Sequence, residues 1–153
     1  MGDPKEIKQL GKNRKAFFEY EVLENLEAGI VLAGSEVKSI RMAHFNFNDA
    51  WAEISRGELW LVGFHITPYS HGSIFNHESD RKRKLLLKSV QIEKWRRRTE
   101  EKGFTIVPLN VHLKGGLIKI ELGLCRGKKL HDKRDSIREK DLNRDAEREM
   151  RNR

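Results

Sequence analysis

The sequence contains one cysteine, three prolines and no long apolar run. Because Cys125 is the only cysteine, the chain can form neither an intramolecular disulfide nor a zinc site built on paired cysteines. We therefore expect a reducing, cytoplasmic environment. The longest apolar runs, such as residues 29–34 and 59–64, are about six residues long, whereas a membrane helix needs about 20. We expect no association with a membrane.

Signals for export, metal binding and nucleotide binding are also missing. Residues 1–6 have no apolar core of the kind that a signal peptide needs, so no targeting segment is predicted. The six histidines form no HExxH motif and no pair at i, i+4 spacing, and we predict no metal and no cofactor. The GxxxxGK[ST], GxGxxG and GxSxG motifs do not occur. We predict that the protein is not an enzyme.

Positive charge is concentrated in one window. The chain has 31 Lys and Arg against 23 Asp and Glu, a net charge of +8. Residues 81–98 alone hold nine basic side chains and the single acid Glu93, so this window accounts for the whole excess. Such a stretch favours a polyanionic partner, such as RNA, over other partner classes. A solvated face without a partner is the alternative that charge alone leaves open.

The first half of the chain predicts short strands around one helix. Residues 1–15 are polar and are predicted to form a flexible N-terminal arm. Alternation from Phe18 predicts a strand, and residues 30–32 predict a second short one. Ser35 is predicted to cap a helix that runs to Arg41.

The second half predicts two hairpins and a second helix. Residues 50–54 and 59–65 alternate around a turn, as do residues 106–113 and 117–124 around Gly115 and Gly116. Between the hairpins, residues 67–80 predict a long loop, and residues 85–87 predict a short buried strand or the approach to a helix. Ser89 is predicted to cap a helix that stops at Gly103.

These elements predict a mainly β protein with peripheral α-helices. Many short strands within about 110 residues favour an OB-fold-like closed antiparallel β-barrel, which we place at residues 16–126. Residues 127–153 carry ten basic and seven acidic side chains and little apolar surface. Such a segment cannot bury enough to hold itself on the body, so we predict a C-terminal tail that is disordered when free.

Several strings, in their order and spacing, closely resemble the family of SsrA-binding proteins, also called small protein B. Each string alone is weak, whereas the combination over residues 10–150 is specific. They are NRKA at residues 13–16, EAGIVL at 27–32 leading into GSEVKS at 34–39, HITPY at 65–69, RKLLL at 83–87 and GKKLHDKR at 127–134.

The resemblance implies a function. It implies an OB-like, non-catalytic adaptor that binds the tRNA-like domain of transfer-messenger RNA and brings it to stalled bacterial ribosomes. The implied partners are that RNA, the small ribosomal subunit with its rRNA, and elongation factor Tu with GTP, which acts through the charged RNA. The residues by themselves leave a second class open, a structural ribosomal or ribosome-assembly protein that holds rRNA by charge.

The resemblance also implies residue roles. Phosphates would be neutralised by Arg14, Lys15 and Lys119, a base edge or sugar would be bound by Asn13 and Glu27, an apolar platform would be offered by Leu87 and a stacking surface by Phe18. Residues 137–150, from Ile137 to Met150, would become helical in the empty mRNA path. The tail residues that would enter the decoding centre are Lys128, Lys129, His131, Asp132, Lys133 and Arg134.

Overall fold

A computed structural model describes residues 6–69, 76–101 and 103–128. These residues form mainly strands with three helices, which confirms the predicted mainly β class with few helices. In chain order the elements are β1 (Ile7–Lys12), α1 (Arg14–Glu19), β2 (Tyr20–Ile30), α2 (Gly34–Arg41), β3 (Phe45–Asn46), β4 (Trp51–Ser55), β5 (Glu58–Val62), β6 (His65–Ile66), β7 (Arg83–Leu86), α3 (Ser89–Thr99), β8 (Phe104–Lys114) and β9 (Leu117–Gly127).

Seven strands belong to one antiparallel sheet in the order β1-β8-β4-β5-β7-β2-β9, and β8 also pairs with β9. The pairings therefore lead from β8 through β4, β5, β7, β2 and β9 back to β8. Strand β8 reaches three partners because β4 pairs at Ile106 while β1 pairs with residues 110–114. Strands β3 and β6 form a separate pair.

The β8–β9 hairpin is the predicted one. Gly115 and Gly116 both have positive φ, 57° and 84°, which is the backbone of a two-residue turn that suits the twist of a hairpin. The register shifts between Pro108 and Asn110, so Leu109 is an extra residue on β8. Proline has no N–H for the ladder and is tolerated at such an irregularity.

The main core lies between the inner faces of the strands and two helices. Trp95 of α3 is 1% exposed, and its indole Nε1 donates to Glu24 at 3.0 Å. Ile40 of α2 is fully buried in the same cluster. A smaller cluster on the opposite side of the sheet joins α1 to β8 and β9; its buried members are Ala16, Val107, Leu109 and Cys125.

The predicted flexible arm is wrong for residues 7–12, which form β1. This strand pairs with β8 from Ile7 opposite Lys114 to Lys12 opposite Asn110. The outer part of β8 would otherwise expose a row of unpaired N–H and C=O groups, and a neighbouring strand satisfies them. The mostly polar residues of β1 give no strand signal in the sequence. An edge strand held by backbone hydrogen bonds needs little apolar surface, so such a signal is not required.

The strand predicted from Phe18 is also wrong at its start. Residues 14–19 form the helix α1, and a single strand, β2, replaces the two short runs predicted between residues 18 and 32. The side chain of Asn13 caps the helix by accepting from the Ala16 N–H. Two adjacent phenylalanines within one turn are compatible with a helix as well as a strand.

Both longer helices lie where they were predicted, but neither is capped by the predicted serine. In α2 the carboxylate of Glu36 accepts from the Ala33 N–H at 2.8 Å, and in α3 the Gln91 side chain accepts from the Lys88 N–H at 3.1 Å. In each case the third helical residue reaches back over the first turn. The Ser35 hydroxyl instead lies 2.9 Å from Nδ1 of His77.

Two predictions fall outside the described residues, namely part of the long loop at 70–75 and the tail beyond residue 128. Across the described part of the chain, no helix combines the length and the apolar character that a membrane crossing requires.

Candidate nucleic-acid interface

Five neighbouring strands each place one residue in a row on the outside of the sheet. Gln9 of β1 lies opposite His112, His112 opposite Lys119, Lys119 opposite Gly29, and Gly29 opposite Leu86. A second row runs alongside through Asn110, Glu121 and Glu27. Directly opposed residues of an antiparallel sheet point to the same face. We name this surface the polar face; its members are Gln9, Asn25, Glu27, Gly29, Leu86, Asn110, His112, Lys119 and Glu121.

The exposed leucine of the polar face is Leu86. Its side chain is 50% exposed and covers Gly29, where an added Cβ would lie 3.3 Å from the Leu86 Cβ. Leu87, the predicted platform, is half-buried and packs against the main core. The period of a strand could have found this, because Leu85 is buried and the next residue must face outward.

Asn13 is a structural residue. It is 6% exposed, its Nδ2 donates to the Pro108 carbonyl at 2.8 Å, and its Oδ1 accepts from the Ala16 N–H at 3.2 Å. Its backbone N–H donates to the Leu109 carbonyl at 2.8 Å. The side chain therefore has its partners within the protein, and it anchors the start of α1 to β8 instead of presenting a free amide.

Replacing Asn13 by alanine tests this role. The variant loses the helix cap and the bond to Pro108, and the expected loss in free energy of unfolding is about 2 kcal/mol. Urea unfolding measures the loss. Asn13→Asp is the matched variant, since it retains the cap acceptor but cannot donate to Pro108. An alanine variant as stable as the parent would contradict the assignment.

The two cations at the start of α1 differ in whether they form ion pairs. Arg14 is exposed and forms no ion pair with any described residue. Lys15 lies 2.5 Å from Asp49 and 4.0 Å from Glu19, and the hydrogen bond to Asp49 raises the pKa of the lysine. Arg14 is the cation that can meet a phosphate without first breaking a pair.

Phe17, next to the predicted stacking residue Phe18, is the more exposed of the two rings. It is 39% exposed, and the Lys12 Nζ lies 4.8 Å from its ring centroid. Phe18 is half-buried. An exposed ring beside a cation is the combination that stacks on an unpaired base, so α1 adds Phe17 to the candidate surface.

Glu27 is held by two neighbours on β8. His112 lies 2.9 Å from its Oε2, and the Lys114 Nζ lies 3.3 Å from its Oε1. Burial by itself would raise the pKa of this carboxyl, but the hydrogen bonds from His112 and Lys114 outweigh burial and hold the pKa below its usual range. Glu27 is therefore a fixed carboxylate. Lys119, on the adjacent strand β9, forms no ion pair with any described residue.

The basic window 81–98 is largely neutralised by the fold. Eight of its nine cations lie within 4.0 Å of a carboxylate oxygen, and Lys88 is the exception. The triplet Arg96–Arg98 in particular pairs with Glu93, Glu100, Glu24 and Glu101. This window therefore offers few free cations to the polyanionic partner that the sequence favours. Cations without a carboxylate partner in the described chain include Lys8, Lys12, Arg14 and Lys119.

Of the predicted tail residues only Lys128 is described, with its backbone N–H donating to the Glu19 carbonyl at 3.0 Å. Lys129, His131, Asp132, Lys133, Arg134, Ile137 and Met150 lie outside the described residues. Over residues 6–69, 76–101 and 103–128, no three His, Cys, Asp or Glu side chains are placed to hold a metal ion. Cys125 is free and buried, and burial raises the pKa of its thiol to about 11.

Fold and face together define a small, mainly β protein that offers a polar sheet surface flanked by unpaired cations. A family model described as SmpB protein matches residues 10–152. The chain belongs to the SmpB family.

Individual relatives agree with this family. An SsrA-binding protein of Treponema denticola is 49% identical over 144 residues, which cover 94% of both chains. One of Chlamydia trachomatis is 52% identical over 139 residues, covering 91% of this chain and 92% of the relative. A solved chain described as "tmRNA-SmpB: a journey to the center of the bacterial ribosome" has a TM-score of 0.67 and 42% identity, covering 83% of this chain and 93% of the other.

Proposed function

We propose that this protein binds the tRNA-like domain of transfer-messenger RNA and delivers it to stalled bacterial ribosomes for trans-translation. The observation that carries the proposal is the polar face, where an exposed Leu86 over Gly29 lies beside the unpaired cation Lys119. An apolar platform beside a cation suits an RNA whose bases are splayed out of the helix. Relatives named as SsrA-binding proteins, about half identical to this chain, support the same partner.

Arg14 and Phe17 extend the surface. Asn13 fixes the start of α1 on β8, and the helix then presents an unpaired guanidinium and an exposed ring. Phosphate contacts fix the register of an RNA on a protein, while stacking and polar contacts recognise the bases. The site therefore combines both kinds of contact without depending on the basic window.

The circuit of strand pairings supports an OB-like closed barrel as the scaffold for this face. In the same proposal the tail residues 128–150 serve the ribosome, occupying the decoding centre and the empty mRNA path next to small-subunit rRNA. Elongation factor Tu with GTP joins through the charged RNA. A ribosomal target accords with the cytoplasmic location predicted from the single cysteine.

A charge reversal on the polar face tests the proposal. Lys119→Glu is expected to weaken binding to a folded transcript of the tRNA-like domain by more than about tenfold, because an unpaired cation becomes a repelling anion. Arg97→Glu is the matched control, since it reverses one charge within the basic window on a side chain that pairs with Glu93. Filter binding or fluorescence anisotropy at fixed salt measures both. Equal losses in the two variants would contradict the polar face as the binding surface.

Sequencing the RNA that co-purifies with the protein separates the two function classes. An adaptor is expected to enrich transfer-messenger RNA over its cellular abundance. A structural ribosomal protein would instead recover rRNA in proportion to ribosomes, with no preference for transfer-messenger RNA.

A further inference from the structure

The link between strands β2 and β7 is short. Among the described residues it consists of two pairs, Gly29 opposite Leu86 and Ile30 opposite Leu85. Leu85 is 1% exposed and belongs to the main core, so Leu86 and the residue opposite it face outward. The exposed leucine is therefore held next to β2 by one outward-facing pair, and Gly29 is its partner in that pair.

Gly29 is required for space and not for backbone conformation. Its φ lies outside the left-handed region that favours glycine. An added Cβ would lie 3.3 Å from the Leu86 Cβ and 3.4 Å from its Cδ1, whereas Cβ atoms of directly opposed residues usually lie about 4.5 to 5.5 Å apart. The Leu86 side chain therefore extends across β2 into the space that a side chain at position 29 would fill.

Glycine at this position leaves the middle of the row on the polar face without a side chain. On the side away from Leu86, Gly29 lies opposite Lys119. Glu27 lies two residues earlier on β2 and therefore faces the same way. Neighbouring strands are about 4.8 Å apart, so a side chain at position 29 would stand between those of Leu86 and Lys119, whose backbones are about 10 Å apart. With glycine there, the apolar platform adjoins the cation.

We propose that Gly29 is a positioning residue for RNA binding: because it has no side chain, Leu86 lies across β2 beside Lys119, where one unpaired nucleotide can contact both. The inference rests on the proposed RNA-binding function. Gly29 itself need not contact the RNA. It acts through Leu86, so its effect on affinity requires the Leu86 side chain.

Nuclear magnetic resonance of the labelled full chain tests the arrangement without any variant. Nuclear Overhauser effects are expected between the Leu86 methyl protons and the Gly29 α-protons in the free protein. Addition of a folded tRNA-like transcript is expected to shift the Leu86 methyl resonances upfield, because a base stacked on them shields them by its ring current. The methyl groups of Leu122, which is fully buried, are the internal reference. Absence of either signal at Leu86 would overturn the inference.

Replacing Gly29 by alanine tests the consequence for affinity. Gly29→Ala is expected to weaken binding to the same transcript by at least about fivefold, because the added Cβ displaces the platform from the base that rests on it. Gly34→Ala is the matched control, since an added Cβ there has nothing within 4 Å and φ again lies outside the left-handed region. Anisotropy at fixed salt measures affinity, and urea unfolding verifies that both variants are folded. An affinity of Gly29→Ala within about twofold of the parent would overturn this inference and leave the proposed function standing.

A double-mutant cycle distinguishes positioning from a merely structural role. Leu86→Ala is expected to weaken binding, and adding Gly29→Ala to it is expected to cost less than about twofold more, since no platform is left to displace. A glycine that only supports the fold would cost the same affinity in both backgrounds, and that result would overturn the positioning role. A full chain that did not bind the transcript would overturn both this inference and the proposed function.

Discussion

Deletion of residues 131–153 is expected to abolish the tagging of stalled peptides while leaving affinity for the tRNA-like RNA within about twofold of the full chain. The polar face and the start of α1 lie entirely within residues 9–121, so the deletion removes no residue of the proposed RNA surface. The removed segment has an almost balanced composition of charges and little apolar surface. In the proposed function this segment serves the ribosome and not the RNA.

Two measurements on one preparation check this division of labour. Anisotropy gives RNA affinity, and a reconstituted translation reaction on an mRNA without a stop codon gives tagging. Lys119→Glu in the full chain is the reciprocal variant. Its primary defect is expected to be in affinity for the RNA. If the truncated chain lost RNA binding instead, the body would not be the RNA-binding unit.

The second large effect is expected at a buried ion pair. Glu36 of α2 and Arg83 of β7 are both fully buried, and the Glu36 carboxylate accepts hydrogen bonds from Arg81 and from the Arg83 Nε. The remaining Arg83 donors reach backbone carbonyls at 2.7 to 3.2 Å. These carbonyls belong to Phe64, Glu78, Ser79 and Arg81, so one guanidinium joins α2 to the connection between β5 and β6 and to the segment before β7.

Replacing Glu36 by glutamine leaves the Arg83 charge buried without its counterion. The expected loss is about 3 to 5 kcal/mol in free energy of unfolding, because an uncompensated buried charge retains its desolvation penalty. Glu58→Gln is the control: its pair with Lys84 is exposed and spans 3.3 Å, and its loss is expected to cost at most about 1 kcal/mol. Urea unfolding at neutral pH measures both. Equal losses would show that burial does not set the strength of the Glu36 contact.

The same carboxylate predicts an acid-sensitive stability. Burial alone would raise the pKa of Glu36, but hydrogen bonds from Arg81, the Ala33 N–H and Arg83 hold it below its usual range. A folded pKa below the unfolded one contributes stability that is complete above about pH 4.3 and is lost as the pH falls through the folded value. The free energy of unfolding is therefore expected to drop more steeply with acid in the parent than in Glu36→Gln.

Local patterns predicted the hairpins and the two longer helices because their signals lie within a few residues. Alternating apolar positions and the Gly115-Gly116 turn are enough to specify β8 and β9, since only glycine adopts both positive φ values readily. Strand β1 could not be predicted in this way. Its partner is about 100 residues away, and the bonds that hold it are backbone bonds, which do not depend on the side chains.

The candidate site was partly accessible to sequence reasoning. Matching strings selected Glu27 and Lys119, and the register of β2 and β9 places both on the polar face. They also selected Asn13 and Leu87, whose side chains the fold directs inward. Matching strings select the segments that are predicted to bind RNA, whereas the direction of each side chain depends on strand register and on burial. His112 carries no motif and becomes visible only through its contacts with Glu27 and Asn110.

By itself, the amino-acid sequence determined the mainly β class and the family, and it predicted the interacting segments, because periodicity and ordered strings are properties of the chain. The tertiary structure decided which cations are available to a partner. The window 81–98 is strongly basic when read along the chain, yet its cations meet carboxylates from as far as 74 residues away, as in the contact between Arg98 and Glu24. Ion pairs depend on distance in space, so only the fold shows that Lys119 and Arg14, outside that window, are among the cations without a carboxylate partner in the described residues, whereas Lys88 alone is unpaired within it.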